Sequence, residues 1–306
     1  MALKHATTSV LEIGYFEHGP EHGWPAVLLH GFPYDVHAYD AVVPLLVAQG
    51  ARVIVPYLRG FGPTRFLRSD TPRSGQQGAL GSDLLGLLDA LGIAKAILVG
   101  YDWGGRAACV VSALWPERVR GLVSIGGYNI LDGRAARTPL PPIDEYKYWY
   151  QYYLHGDRGY EGLRRYRRDF CRLLWRLWSP TWSFREDAFE ETAASFDNPD
   201  FVDVVVHSYR HRFGLVDGDP AYDDIERRLD ARPPIAIPTI TMDGADDGVA
   251  LAIGPSVGSS HFLRHRGHWT IAGAGHNLPQ ENARALADAV ARSIVQADRP
   301  SADFLR

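Results

Sequence analysis

Short runs of apolar residues punctuate the first half of the chain, and each stops abruptly. Ala26–Leu29 ends at His30-Gly31, Arg52–Val55 ends at Pro56-Tyr57, and Ala96–Val99 runs into Gly100. Gly121–Ile125 follows a helix that Trp115-Pro116 terminates. Stretches with helical spacing lie between them. From Gly78 to Leu91, Leu84, Leu85, Leu87 and Leu88 make a wide apolar face. Strands that are apolar at successive positions are buried on both faces, and helices between them supply crossovers. The pattern therefore predicts a mostly parallel α/β sheet flanked by helices. Ser9–Phe16 is expected as an antiparallel edge.

This rhythm breaks at Arg137-Thr138-Pro139-Leu140-Pro141-Pro142, where proline can continue neither helix nor central strand. From 138 to 232 no strand–helix alternation remains. The segment reads as helical and holds 19 of the chain's 35 Phe, Tyr and Trp residues. Arg164, Arg165, Arg167, Arg168, Arg172 and Arg176 interleave with Leu163, Tyr166, Phe170, Leu173, Leu174 and Leu177. That spacing predicts an amphipathic helix with a basic, solvated face. Arg232-Pro233-Pro234 marks a return. Ile235–Met242 and His268–Ile271 read as strands and Gln280–Val295 as a last helix. An α/β core over 1–137 and 233–306 is thus interrupted by a helical lobe over 138–232.

Composition narrows the class. The chain has 306 residues, 46% of them hydrophobic, enough for one large core. A net charge of −4 gives no broad electrostatic footprint for nucleic acid. Cys109 and Cys171 fit neither a metal spacing nor a disulfide framework, and are expected as packed, reduced thiols. The first residues lack the apolar stretch of a signal peptide, and no run is long enough to span a bilayer. A cytoplasmic protein without membrane association is expected, and no metal or organic cofactor is called for. A homodimer is left open.

The chemistry concentrates where strands end. Gly100-Tyr101-Asp102-Trp103-Gly104 has the form of an elbow at which a strand turns sharply into a helix and presents one side chain to a cleft. Here that side chain is a carboxylate, not a serine. A carboxylate can displace a leaving group from saturated carbon, forming an alkyl ester on the enzyme. It is a poor nucleophile for amides, because attack would give an anhydride. Read alone, Asp102 could equally be a helix cap.

Its neighbours favour chemistry. His30-Gly31-Phe32-Pro33 follows the first buried strand, and the N–H groups of Phe32 and Trp103 are candidates for an oxyanion hole. Asp243-Gly244-Ala245-Asp246-Asp247-Gly248 follows a later strand. Its spacing selects Asp247 to orient a histidine, with Asp246 in reserve. His276 stands in the tight turn Gly273-Ala274-Gly275-His276-Asn277. The order Asp102, Asp247, His276 is nucleophile, acid, histidine, as on α/β-hydrolase folds.

These motifs, with Arg59-Gly60-Phe61-Gly62, resemble the α/β-hydrolase superfamily over nearly the whole chain. The resemblance implies an α/β-hydrolase fold with the 138–232 lobe as a helical cap, inserted after the sixth strand. An aspartate at the elbow resembles the epoxide hydrolases and their relatives, the haloalkane and haloacetate dehalogenases. An epoxide oxygen leaves as an alkoxide and needs a proton donor, and epoxide hydrolases use two cap tyrosines for this. A halide needs only donors around it. Trp149-Tyr150-Gln151-Tyr152-Tyr153 resembles the epoxide-hydrolase cap stretch. It implies Tyr150 as the first acid, with Tyr153 or Tyr152 as alternatives, and Tyr209 as the second. Haloacetate dehalogenases carry an arginine directly after the nucleophile, where this chain has Trp103. That arginine holds the substrate carboxylate in those relatives; Arg106 is expected on a helix surface, with partial substitution for it as the alternative. His30, Trp103 and Tyr153 are expected to touch substrate. The function implied is opening of an apolar epoxide to a vicinal diol, with water as co-substrate. The alternatives are a dehalogenase with the same nucleophile and a non-catalytic small-molecule receptor on this fold.

Overall fold

The computed structural model describes residues 2–133, 138–249 and 259–297. The expected core boundary at Arg137, and the stretch from 298 to 306, lie outside them. Nine strands form one sheet: β1 (Lys4–Thr7), β2 (Leu11–His18), β3 (Trp24–Leu29), β4 (Ala51–Pro56), β5 (Arg65–Phe66), β6 (Ala96–Tyr101), β7 (Val119–Ile125), β8 (Ile235–Gly244) and β9 (Phe262–Ile271). Their order is β1-β2-β4-β3-β6-β7-β8-β9, with β5 hydrogen-bonded to β2. From β4 to β9 every pairing is parallel. β2 runs antiparallel to both β1 and β4, so the edge expected at Ser9–Phe16 is the second strand, outside which β1 adds another. A parallel run with an antiparallel edge is the arrangement that the α/β-hydrolase resemblance implies.

Burial explains the order. β6 is buried at every position, and β3 and β7 nearly so, as strands covered on both faces must be. The flanking helices are α1 (Val43–Val47), α2 (Gln77–Ala90) and α3 (Asp102–Leu114). A Cβ at Gly81 of α2 would stand 2.3 Å from Val110 Cγ1 of α3, so glycine sets how closely these two helices pack. Cys109 and Cys171 are buried and free.

Between β7 and β8 the described chain is helical: α4 (Pro142–Lys147), α5 (Trp149–Tyr153), α6 (Asp157–Trp178), α7 (Glu186–Ala193), α8 (Phe201–Arg212) and α9 (Asp223–Asp230). The Arg-rich segment is α6, which leaves helical geometry at Tyr166 (φ −124°, ψ 30°). Its basic face is not simply solvated. Arg168 pairs with Glu190 and Asp197, and Arg172 with Glu186 and Glu190. These helices are fastened to the sheet end. Trp175 Nε1 donates to Pro33 O at 2.8 Å, and buried Asp35 accepts from Thr192 and Ser195 hydroxyls at 3.1 and 2.5 Å. Beyond β9 the expected single helix Gln280–Val295 is two, α10 (Leu278–Glu281) and α11 (Ala283–Ala297), broken at Asn282. No described helix is long and apolar enough to cross a membrane.

Candidate active site

Asp102 stands at the junction of β6 and α3 with φ 48°. Left-handed backbone is costly for a residue with a Cβ, so surrounding structure must hold it there. Three close approaches do so. A Cβ at Gly100 would meet Gly104 backbone at 2.5 Å, one at Gly104 would meet Leu29 O at 2.0 Å, and one at Gly31 would meet Asp102 Cβ at 2.6 Å. The turn can therefore be this tight only with glycine at those three places. The two carboxylate oxygens of Asp102 have different surroundings. Oδ1 accepts the Phe32 N–H at 2.8 Å, and Oδ2 lies 3.9 Å from His276 Nε2. Trp103 N–H belongs to the first turn of α3, where amides lack helical partners, but no bond from it to Asp102 is recorded among the described residues.

The loop after β8 separates its three aspartates. Asp247 Oδ2 bonds His276 Nδ1 at 2.8 Å and its Oδ1 accepts the Val249 N–H at 2.9 Å. Asp246 accepts from the Thr181 hydroxyl, and Asp243 pairs with His268. Burial and the charge of Asp247 push Asp243 up to about 7. Burial pushes the His276 imidazole down, but the charge and hydrogen bond of Asp247 and the nearby charge of Asp102 outweigh it. The net shift is upward. Its Nε2 is buried without a hydrogen-bond partner, facing Asp102. Trp178 O and Ser179 Oγ both accept the His276 N–H at 3.1 Å. Glu281 then takes the Ser179 hydroxyl at 2.6 Å and the Gly275 N–H at 2.7 Å. Sequence reasoning missed Ser179 and Glu281. The only signal was an acidic residue in the first turn after the His276 loop.

Above Asp102, Tyr150 of α5 and Tyr209 of α8 are both buried and meet edge to face, ring centroids 5.3 Å apart. Tyr209 also packs on Phe32 (5.7 Å) and Trp103 (6.2 Å). Burial raises both phenols, so each keeps its proton at neutral pH. Gln151, also missed, bonds Tyr150 Oη at 3.0 Å. Tyr153 is turned elsewhere. Its ring stacks on Phe170 and its hydroxyl lies against Gly162 of α6. Tyr152 is exposed and directed to Glu145.

Three further residues are placed otherwise than expected. His30 is fully buried, with Nδ1 on Gly31 O and Nε2 accepting the Leu58 N–H, each at 3.0 Å. Burial holds it neutral, at about 4, so it braces the turn and leaves no nitrogen for substrate. Arg106 is not on the surface; it is 6% exposed. Trp103, expected to touch substrate, is fully buried beneath Tyr209, and its indole N–H has no acceptor. At the surface, His37, Asp40 and Glu191 offer ligand atoms within 4.8 Å of one another, but they are already accounted for as ion pairs.

A family model described as alpha/beta hydrolase fold matches residues 25–283. A solved structure of a "putative epoxide hydrolase" from Klebsiella pneumoniae is 44% identical, with a TM-score of 0.94 over 96% of this chain and 97% of that one. A similarly described Pseudomonas aeruginosa structure superposes with a TM-score of 0.81 at 22% identity, over 97% of this chain and 96% of the other, which bears on fold alone. Epoxide hydrolase 2 of Siraitia grosvenorii is 42% identical over 102 residues, 33% of this chain and 32% of the relative. Epoxide hydrolase B of Mycobacterium tuberculosis is 35% identical over 99 residues, 32% of this chain and 27% of the relative. The matches thus span about a third of the curated relatives' length. The chain belongs to the α/β-hydrolase fold family, in its epoxide-hydrolase-like branch.

Proposed function

From that membership we propose that this protein hydrolyses epoxides to vicinal diols through an ester on Asp102, with the 138–232 segment as its cap. The observation that carries the reading is the unequal setting of the two Asp102 oxygens. Oδ1 is held by a backbone N–H, as the carbonyl oxygen of an ester would be, while Oδ2 is turned toward His276 and carries no hydrogen bond to protein among the described residues. Oδ2 attacks an oxirane carbon, the carbon–oxygen bond breaks, and Tyr150 or Tyr209 gives its proton to the departing alkoxide. The phenolate recovers a proton from water. His276, steadied by Asp247, then removes a proton from a second water, which adds to the ester carbonyl. The oxyanion that forms on Oδ1 keeps the Phe32 N–H, with Trp103 N–H as the second donor. Collapse breaks the ester carbon–oxygen bond, the His276 imidazolium protonates the leaving alkoxide to give the diol, and the regenerated Asp102 carboxyl loses its proton to solvent.

The partners are a small-molecule epoxide and water, in a cytoplasmic setting. Single turnover in ¹⁸O water tests the mechanism. Label in the Asp102 carboxylate is expected, because water attacks Cγ; label confined to the diol would mean direct attack on the epoxide. A dehalogenase is the second reading, favoured by one observation. The buried, unpaired Trp103 indole N–H is a donor of the kind a departing halide uses. Turnover of styrene oxide beside a haloalkane separates the two.

A further inference from the structure

The loop that carries His276 is built partly against the lid. Its Gly275 N–H goes to Glu281 Oε2 at 2.7 Å, its Asn277 N–H to Glu281 Oε1 at 3.1 Å, and its His276 N–H to Trp178 O and Ser179 Oγ, both at 3.1 Å. Ser179 is 1% exposed, and its hydroxyl donates to Glu281 Oε1 at 2.6 Å. Trp178 is the last residue of α6, and Ser179 follows it. Trp178 O also accepts the Gly248 N–H, beside Asp247, at 2.9 Å. A Cβ at Gly275 would stand 2.6 Å from Ser179 Cα, and one at Gly248 would stand 2.0 Å from Leu177 O. The end of this lid helix therefore lies directly on the loops of the base and of its acid.

The elbow is held otherwise. Gly31, Gly100 and Gly104 close it against core backbone and against Asp102 itself, so the nucleophile's conformation is set within the core. The two half-reactions thus rest on different supports. Glu281 is also more than a brace. Two amides and a hydroxyl could be satisfied by neutral acceptors, and a partly buried carboxylate costs desolvation that they would not. Burial raises the Glu281 carboxyl, and Ser179, the Gly275 and Asn277 amides and the charge of His276 oppose it. Against the burial that pushes His276 down, the charges of Asp247, Asp102 and Glu281 favour its imidazolium. Once the ester forms, Asp102 is neutral. Of these three carboxylates, Asp247 and Glu281 are then left to support the proton that His276 takes from water.

We propose that Glu281 is a positioning residue for ester hydrolysis: through Ser179 and the loop amides it keeps His276 in register with the end of the lid helix, and its charge supports the imidazolium. The role rests on the epoxide reading, in which the ester is a separate intermediate. The groups around the imidazole are Asp102, Tyr34 and Tyr101 from the core, Asp247 from the loop after β8 and Trp178 from α6. Asp102 and Asp247 are the charged ones among them. Glu281 therefore acts from behind the loop and touches no reacting atom.

The test follows both half-reactions by single turnover of styrene oxide, with the ester read by intact-protein mass, in the wild type, Glu281→Gln, Ser179→Ala and the double variant. Glu281→Gln keeps the side chain's length and loses its charge. It should slow ester hydrolysis about 10- to 50-fold, less than the ~10²–10⁴-fold of losing the base itself, so the adduct accumulates. Alkylation should change by less than about threefold, because the elbow does not rest on Glu281. Titration of His276 by imidazole NMR gives a readout independent of turnover. Its pKa should fall by up to ~1 unit in Glu281→Gln and return toward the wild-type value in Glu281→Asp. Ser179→Ala keeps the carboxylate and should slow the same step with a smaller pKa change. The double variant should be no slower than Glu281→Gln, since both residues act in one network. Equal losses in the two half-reactions, or an unchanged His276 pKa with unchanged hydrolysis, overturn the role and leave the epoxide reading standing. If Glu281→Gln does not fold, Ser179→Ala decides on the same terms. A lowered His276 pKa in Glu281→Gln, with neither adduct nor diol from the wild type, would keep the positioning of His276 and overturn the epoxide reading. An unchanged pKa with neither product would overturn both.

Discussion

Asp102, Asp247 and His276 hang from the ends of parallel strands, whereas Tyr150 and Tyr209 hang from helices that reach the same cleft through aromatic packing. On the strand side, register and glycine close approach leave each side chain little freedom. β6 and β7 end level, Tyr101 opposite Ile125, β8 runs on past them to Gly244, and Gly31, Gly100 and Gly104 allow one backbone path through the elbow. On the helix side, Tyr150, Tyr209, Trp178 and Phe32 hold one another by ring contacts 5.0–6.2 Å apart. Such contacts are individually worth only ~0.5–1.5 kcal/mol. The proposed mechanism thus places covalent chemistry on the rigid frame and proton donation on the adaptable one. Substitutions should cost most on the strand side.

The largest effect is expected from Asp102→Asn, which removes the nucleophile while Phe32 N–H can still hold the side-chain oxygen. Epoxide turnover should fall on the order of 10⁴-fold or more, since a unit missing its nucleophile loses nearly all covalent catalysis. Intact-protein mass spectrometry should find no adduct. An adduct elsewhere, with activity kept, would break the comparison at its strand end.

His276→Gln comes next. Alkylation needs Asp102 and a phenol, but hydrolysis of the ester needs the base, so the adduct should accumulate and turnover drop ~10²–10⁴-fold. Asp247→Asn should block the same step less severely. Asp246→Asn, whose carboxylate faces Thr181, should leave it unchanged. The pH profile sharpens this. His276 is raised above its ordinary value, so ester hydrolysis should decline as pH falls through a pKa above ~6.5. Asp247→Asn should move that limb down. For stability, a raised folded pKa contributes fully below the unfolded value and is lost as pH climbs through the folded one. Asp247→Asn should therefore cost more stability near pH ~6 than near pH ~9.

These strand-end residues were legible in the sequence for the same reason that they are rigid. A tight turn demands glycine at fixed offsets, so the spacing around Asp102 and His276 is written into the residues themselves. The parallel sheet was legible because strands buried on both faces must be apolar throughout. The helical side was harder. Tyr150 and Tyr209 had to be picked from a stretch crowded with aromatics, and nothing local distinguishes Tyr153, whose hydroxyl turns to Gly162, from Tyr150 less than one helical turn away. Arg106 was misread for a related reason: helical spacing places a residue on a face, but only the packed lid decides whether that face is covered. β1 and the helix break at Asn282 also depend on partners distant in sequence.

The helix side should yield smaller changes. Tyr150→Phe and Tyr209→Phe should each slow ring opening by less than the ~10²-fold expected for losing a sole acid, because the second phenol still reaches the alkoxide. The double variant should fall well below either. The loss should appear in alkylation, with ester hydrolysis nearly untouched. Wild-type rates in the double variant would assign protonation to another donor.

The smallest effect is expected from the arginines of α6, which differ from the elbow's fixed frame in kind as well as in role: they fasten, and the proposed chemistry does not use them. Arg168 and Arg172 lie at the outer seam with α7, and every charge there has a partner: Glu190 and Asp197 for Arg168, Glu186 and Glu190 for Arg172. The acidic partners are half exposed, so water screens each pair, and holding long side chains in place offsets part of the attraction. Arg172 also covers the Phe189 ring at 4.4 Å, which adds packing that a charge count would miss. Arg168→Ala should therefore cost about 0.5 kcal/mol and Arg172→Ala about 1 kcal/mol in urea unfolding. Neither should alter KM for an epoxide substrate. A rise in KM in either variant would place substrate recognition on this outer seam as well as beside Asp102. Unchanged KM here, with a small loss of stability, would mark these arginines as fasteners of the lid that leave the chemistry to the strand ends and the two phenols.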